Sequence, residues 1–219
     1  MTTRGAFHAE LARLQAEIVA LAVRVKDAIA QAAEALTTLD AAAGARVVAG
    51  DRGIDDERTR LERECLTLIA LQQPLARDLR DIGAGLRILV DLERIADHAS
   101  DIARAAVRLE GEALPKPLED IPRMADLAQR MVAAALEAYV GRDAVAAKEL
   151  TAFDDDVDHL FARVFADLVA LMRERPDTVR VAAHLLLVAS HLERIADHAT
   201  NLAESVIYAV TGERPELND

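Results

Sequence analysis

Residues 92–99 read LERIADHA, and residues 192–199 read LERIADHA again. Extended outward, 91–103 (DLERIADHASDIA) and 191–203 (HLERIADHATNLA) agree at nine of thirteen positions, and the differences include the mild changes Ser/Thr, Asp/Asn and Ile/Leu. Eight consecutive matches point to internal duplication of a structural unit. The letters also set its geometry. At about 100° per residue, Leu92, Ile95, Ala96, Ala99, Ile102 and Ala103 form an apolar stripe, with Glu93, Asp97 and Asp101 in a row beside it.

Around these copies the chain reads as helix almost throughout. It has 219 residues, 52% hydrophobic and 29% charged, with only 3% aromatic, nine Gly and six Pro, and Ala, Leu, Glu and Arg dominate. That composition favours an all-α fold. Apolar spacing of three and four predicts helices over about 4–40, 44–73, 75–110, 123–140, 143–175 and 178–210. Pro74 and Pro176 end the second and fifth helices, Gly141 is the expected left-handed cap, and Asp143 the expected N-cap. The stretch 111–122 contains three prolines and a glycine, which makes it the plausible linker. The expected organisation is two tandem three-helix bundles of six long antiparallel helices: a first repeat over 1–112, a linker over 113–122 and a second repeat over 123–219.

Charge and cysteine usage narrow the function. A net charge of −12, with no basic stripe to offset it, argues against a nucleic-acid partner. The one cysteine, Cys65, excludes an intrachain disulfide and a thiolate cluster, and its register with Leu61, Leu68 and Ile69 places it in the core. No apolar run is long enough to span a bilayer, so the expected location is cytoplasmic, with at most peripheral contact with a membrane through partners.

The acidic row gains meaning from the preceding helix. Each half carries a second pair of carboxylates there, Asp51 and Asp55 in the first half and Asp154 and Asp158 in the second. Folded at Pro74, the hairpin sets Asp55 level with Glu93, both 19 residues from the turn, and Asp51 level with Asp97, both 23 away. Folded at Pro176, it brings Asp158 to within a residue of the height of Glu193, and Asp154 to within a residue of Asp197. Each half thus gathers four carboxylates, plus Asp101 or Asn201, with no lysine or arginine identifiable between them. Such crowding is costly unless protons or cations neutralise it, and all-oxygen ligands suit hard cations such as Mg²⁺, Mn²⁺, Ca²⁺ or iron. His98 and His198 lie off the carboxylate row and read as surface or interhelix groups. No Glu-x-x-His occurs, which argues against a ferritin-like di-iron site. No phosphate loop, zinc-protease motif or nucleophile elbow is present, so an enzyme is the weaker reading. The alternatives are a helical metal-binding or metal-storage protein, a metal-dependent hydrolase, and a purely structural adaptor.

Two copies of Leu-Glu-Arg-Ile-Ala-Asp, an Asp-x-x-x-Asp on each preceding helix and the turn Gln73-Pro74-Leu75-Ala76-Arg77-Asp78-Leu79-Arg80 together resemble the PhoU family of bacterial phosphate-transport accessory proteins. The resemblance covers essentially the whole chain. It implies a non-enzymatic negative regulator of the phosphate-starvation response, whose partners are a sensor histidine kinase and the ATPase subunit of a phosphate ABC importer, and which forms a homodimer. It also implies divalent or multinuclear metal sites (iron, Mn, Mg or Zn) at Asp51, Asp55, Glu93, Asp97 and Asp101 and at Asp154, Asp158, Glu193, Asp197 and Asn201. The chain departs from the family pattern at Asn201 and in its second turn, Arg175–Arg180, which implies fewer ions in the second site.

Overall fold

The computed structural model describes residues 3–115 and 118–217. Among them there is no strand. Helix α1 (Thr3–Thr38) ends at Leu39, whose φ of 54° turns the chain back, and Asp40 caps α2 (Ala41–Gln72) by accepting from the Ala43 amide at 2.8 Å. Helix α2 stops where predicted: Gln73 takes the left-handed conformation, its amide donating to Ile69 O at 3.2 Å, and Pro74 has no amide with which to continue. Helix α3 (Ala76–Arg108) completes the first bundle.

The second bundle repeats this plan with local changes. Helix α4 (Asp120–Gly141) begins inside the stretch read as linker, because Pro122 falls in its first turn, where a missing amide costs nothing. Gly141 is helical, and the left-handed cap is one residue later at Arg142, with φ 53°. Arg142 is held there by its side chain, which donates to Asp81 Oδ1 at 2.6 Å and to Ala209 O at 3.2 Å.

The expected fifth helix is two. Asp143 caps a short α5 (Ala144–Lys148) through the Val145 and Ala146 amides, and α6 (Thr151–Glu174) starts after a break. At the break the amide of Leu150 bonds to Ala147 O and that of Phe153 to Leu150 O, a tightened turn that rotates Leu150 into the core at 1% exposure. A 3-10 turn, Pro176–Thr178, precedes α7 (Val179–Thr211). Thr178 bonds to Arg175 O at 2.7 Å rather than capping α7 through its side chain.

Helices α3 and α7, the two carriers of the repeat, pack against each other at the centre, and α1 packs on α4. Both apolar stripes are buried: Leu92, Ile95, Ala96 and Ala99 in α3, and Leu192, Ile195, Ala196 and Ala199 in α7, are each no more than 2% exposed. Small residues set the close approaches. At Gly44 a Cβ would sit 2.7 Å from Ala103 O, so α2 meets α3 there backbone to backbone. Cys65 is buried, with its thiol pushed up to about 12 mainly by desolvation.

Candidate metal centre

The antiparallel hairpins place the acidic pairs face to face. In the first half, single carboxylate oxygens of Asp51, Asp55 and Asp97 lie within 4.8 Å of one another in a half-buried cleft between α2 and α3. Asp51 Oδ1 and Asp55 Oδ1 are buried without a hydrogen-bond partner. Burial raises Asp51 above the ordinary carboxylate range, and Asp55 and Asp97 push the same way, while the Ser100 hydroxyl and Arg104 pull it down.

The second half places Asp154 and Asp158 on α6 beside Glu193 and Asp197 on α7, more loosely than in the first half: among the described residues only Asp51, Asp55 and Asp97 bring three carboxylate oxygens within 4.8 Å of one another. Asp154 is lifted to about 6, first by burial and then by Asp158 and Asp197, against the pull of the Thr200 hydroxyl. Glu193 is raised by burial, then by Asp197 and Asp158; Asp197 is raised by burial, then by Asp158.

Three features depart from the sequence reading. Asp101 is one: each step of four residues drifts about 40° around a helix, so two steps carry it away from Glu93 and toward α7. There its Oδ1 accepts from Arg104 at 2.6 Å and its Oδ2 lies 3.9 Å from His191 Nε2. Asn201 drifts in the same way and faces Asp91 Oδ1 across the α3–α7 seam at 3.4 Å. The Asp101/Asn201 difference therefore falls outside the acidic clefts, and it gives no reason for the second to hold fewer ions.

The third is an arginine in the first cleft. Arg58 Nε lies 3.3 Å from Glu93 and its Nη1 donates to Glu62 at 2.8 Å, so Glu93 is partly neutralised from within the protein. Three residues after Asp158, at the position corresponding to Arg58, stands Phe161. Arg94 pairs with Asp97 at 3.4 Å, as the i,i+3 spacing allows.

Ser100 and Thr200 join the site without any motif of their own in the sequence. Both are buried, at 1% and 0% exposure, and each sits one turn from the repeated aspartate and close to the first aspartate of the opposite helix. Ser100 Oγ makes no hydrogen bond among the described residues, and Thr200 Oγ1 donates to Ala196 O at 3.3 Å. Their one signal is the Ser/Thr match immediately after the repeated octapeptide.

His98 and His198 are interhelix groups. His98 Nδ1 lies 3.2 Å from His191 Nδ1, and His198 Nδ1 lies 3.0 Å from Asp91 Oδ1. Burial holds His98 down at about 4, helped by His191, His198 and Arg194. A separate groove of about 720 Å³ between α4 and α6 is lined by Arg123, Asp126, His159 and Arg163, and contains none of the cleft carboxylates.

Paired acidic clefts on two duplicated three-helix bundles define a class of helical proteins that display carboxylates on both halves. A family model described as the PhoU domain matches this chain twice, over residues 18–106 and 121–206, and the chain belongs to the PhoU family. A relative from Clostridium acetobutylicum named "Phosphate-specific transport system accessory protein PhoU homolog" is 38% identical, covering 99% of this chain and 100% of its own length. A relative of the same name from Aquifex aeolicus is 38% identical over 93% of this chain and 92% of its own. The crystal structure of PhoU from Pseudomonas aeruginosa superimposes with a TM-score of 0.90 at 33% identity, covering 94% of this chain and 100% of that one. The regulatory protein PhoU from Streptococcus pneumoniae gives 0.90 at 28% identity, over 96% and 99%. The family is one of accessory and regulatory proteins, not of enzymes. No helix among the described residues is long and apolar enough to cross a membrane.

Proposed function

We propose that this protein is a cytoplasmic accessory regulator of a phosphate-specific transport system, which holds the phosphate-starvation response off when phosphate is plentiful. In this reading it couples the ATPase subunit of a phosphate ABC importer to a sensor histidine kinase, and it acts as a homodimer. The observation that carries the reading is the full-length match to proteins named as accessories of that system.

The acidic clefts supply the second part of the proposal. Their donors are all oxygen, two of them are buried without a hydrogen-bond partner, and their carboxylates repel one another. Those properties fit a hard divalent cation. Asp51, Asp55 and Asp97 would hold it in the first half, with Glu93 shared between the ion and Arg58; Asp154, Asp158, Glu193 and Asp197 would hold it in the second. The bound charge would neutralise the cleft and fasten α2 to α3 and α6 to α7. The residues' own part is to keep these carboxylates aimed inward.

Deletion of the gene tests the regulatory reading. A phosphate-starvation reporter should switch on in phosphate-replete medium, and the intact gene should restore repression. Reporter output and phosphate uptake unchanged from the parent strain would overturn it.

A further inference from the structure

The seam between α3 and α7 contains a ligand set that belongs to neither acidic cleft. Duplication relates three positions on the two helices: 91 to 191, 98 to 198, and 101 to 201. On one side of the seam these positions supply Asp91, His198 and Asn201. That set is closed by hydrogen bonds, because Asp91 Oδ1 is 3.0 Å from His198 Nδ1 and accepts from Asn201 Nδ2 at 3.4 Å.

The other side has exchanged two residue types. His191 stands where Asp91 would, and Asp101 where Asn201 would, with His98 between them. The donor–acceptor match is lost and a different one appears. His98 Nδ1 and His191 Nδ1 lie 3.2 Å apart with their rings tilted at 39°. One ligand atom from each of His98, Asp101 and His191 lies within 4.8 Å of the other two. Two nitrogens bound at ~2.0–2.1 Å to one tetrahedral ion are roughly 3.3 Å apart, so the imidazole pair already has the bite of a chelate. Asp101 borders the same cluster: Arg104 holds its Oδ1 at 2.6 Å, and its Oδ2 lies 3.9 Å from His191 Nε2, the ring nitrogen on the other side from His98, so an ion shared by all three requires the His191 side chain to re-aim. Arg194 and His198 also face this cluster and work against a cation, while Asp101 works for one.

We propose that His98, Asp101 and His191 form a binding site for a borderline divalent transition ion of the Zn²⁺ class, joining the first half of the protein to the second. Two imidazoles and one carboxylate select such an ion over Mg²⁺ or Ca²⁺, which the all-oxygen clefts suit better. The site rests on the seam geometry alone and does not depend on any role in phosphate signalling. Its ion would bridge α3 and α7, whereas an ion in either cleft would bridge helices of one half.

Co²⁺ is the probe that separates the two kinds of site, because nitrogen ligation in a tetrahedral field gives strong visible absorption and an all-oxygen octahedral field does not. The titration uses full-length, chelator-stripped protein and a second protein whose clefts are disabled by Asp51→Asn, Asp55→Asn, Asp154→Asn and Asp158→Asn. Both should take up one Co²⁺ per chain with the intense bands, and Zn²⁺ should displace it. His98→Gln and His191→Gln should each weaken that uptake at least ~10-fold while keeping the helical circular dichroism of the wild type. X-ray absorption of the Zn²⁺-loaded wild type gives a readout that needs no variant: two imidazoles per zinc are expected. An all-oxygen shell around zinc, or Co²⁺ spectra and affinity unchanged by both histidine substitutions, would overturn the proposal and leave the His98–His191 contact as an ordinary N–H···N hydrogen bond.

Discussion

Asp197 on α7 stands against Asp154 on α6, and with burial and Asp158, which act more strongly, it lifts Asp154 to about 6. A raised carboxyl binds its proton more tightly in the folded chain than in the unfolded one. Its contribution therefore favours folding below the ordinary aspartate value and is lost as pH rises from about 4 through about 6.

Asp154→Asn should accordingly stabilise the metal-free protein at pH 7, by about 1 kcal/mol once the partial exposure of the group is allowed for. The advantage should vanish near pH 3.5, where both side chains are neutral. Excess Mn²⁺ should reverse the order at pH 7, since the wild type gains a ligand that the variant lacks. Thermal melts in chelator and in Mn²⁺ check all three outcomes.

Arg58 makes the two clefts unequal. Arg58→Met removes the cation that lies 3.3 Å from Glu93 and puts an apolar side chain at the position that Phe161 occupies in the second half. Mn²⁺ affinity of the first cleft should rise by about 3- to 10-fold, measured by calorimetry on a protein whose second cleft is disabled by Asp154→Asn and Asp158→Asn. Unchanged affinity would mean that Arg58 does not compete with the ion.

Two glycines give opposite stability predictions. Gly44→Ala places a methyl 2.7 Å from Ala103 O and 3.1 Å from Val107 Cγ2, so α2 must move away from α3, at a cost of about 2–3 kcal/mol. Gly83→Ala meets nothing within 4 Å and lies inside α3, so it should gain about 0.5–1 kcal/mol from helix propensity. Urea denaturation of the two variants measures both.

Arg142 joins the halves through Asp81 on α3 and is anchored within its own half by Ala209 O on α7. Arg142→Gln should cost about 1.5–3 kcal/mol, the usual worth of a charged hydrogen bond at a largely buried partner. Arg142→Gly should be about 1 kcal/mol milder, because glycine takes the left-handed φ of 53° without strain. The difference between the two, read from the same denaturation curves, isolates the backbone contribution from that of the side chain.

Long apolar periodicities and prolines make the helices legible in the sequence, and the equal spacings about Pro74 align Asp55 with Glu93 and Asp51 with Asp97. Local competition is not legible. Leu150 turns into the core where the helix breaks, and Arg142 displaces Gly141 as the cap because Asp81 and Ala209 hold its guanidinium. The i,i+4 spacing groups Asp101 and Asn201 with the clefts, yet over two turns it drifts onto the neighbouring face. Arg58 escapes notice because its partner Glu93 is 35 residues away, so the pair exists only once the hairpin closes. The His98–His191 contact is invisible for the same reason, since it spans the two halves.

Whether the twin carboxylate clefts hold hard divalent ions is tested most directly by metal content. Protein purified without chelators or affinity tags is dialysed against Mn²⁺ and measured by elemental mass spectrometry. The comparison is with the folded Asp51→Asn, Asp55→Asn, Asp154→Asn, Asp158→Asn variant, which leaves α3, α7 and their seam untouched. The wild type should retain Mn²⁺ in both halves and the variant should lose most of it; equal Mn²⁺ content in the two proteins would contradict metal binding by the clefts.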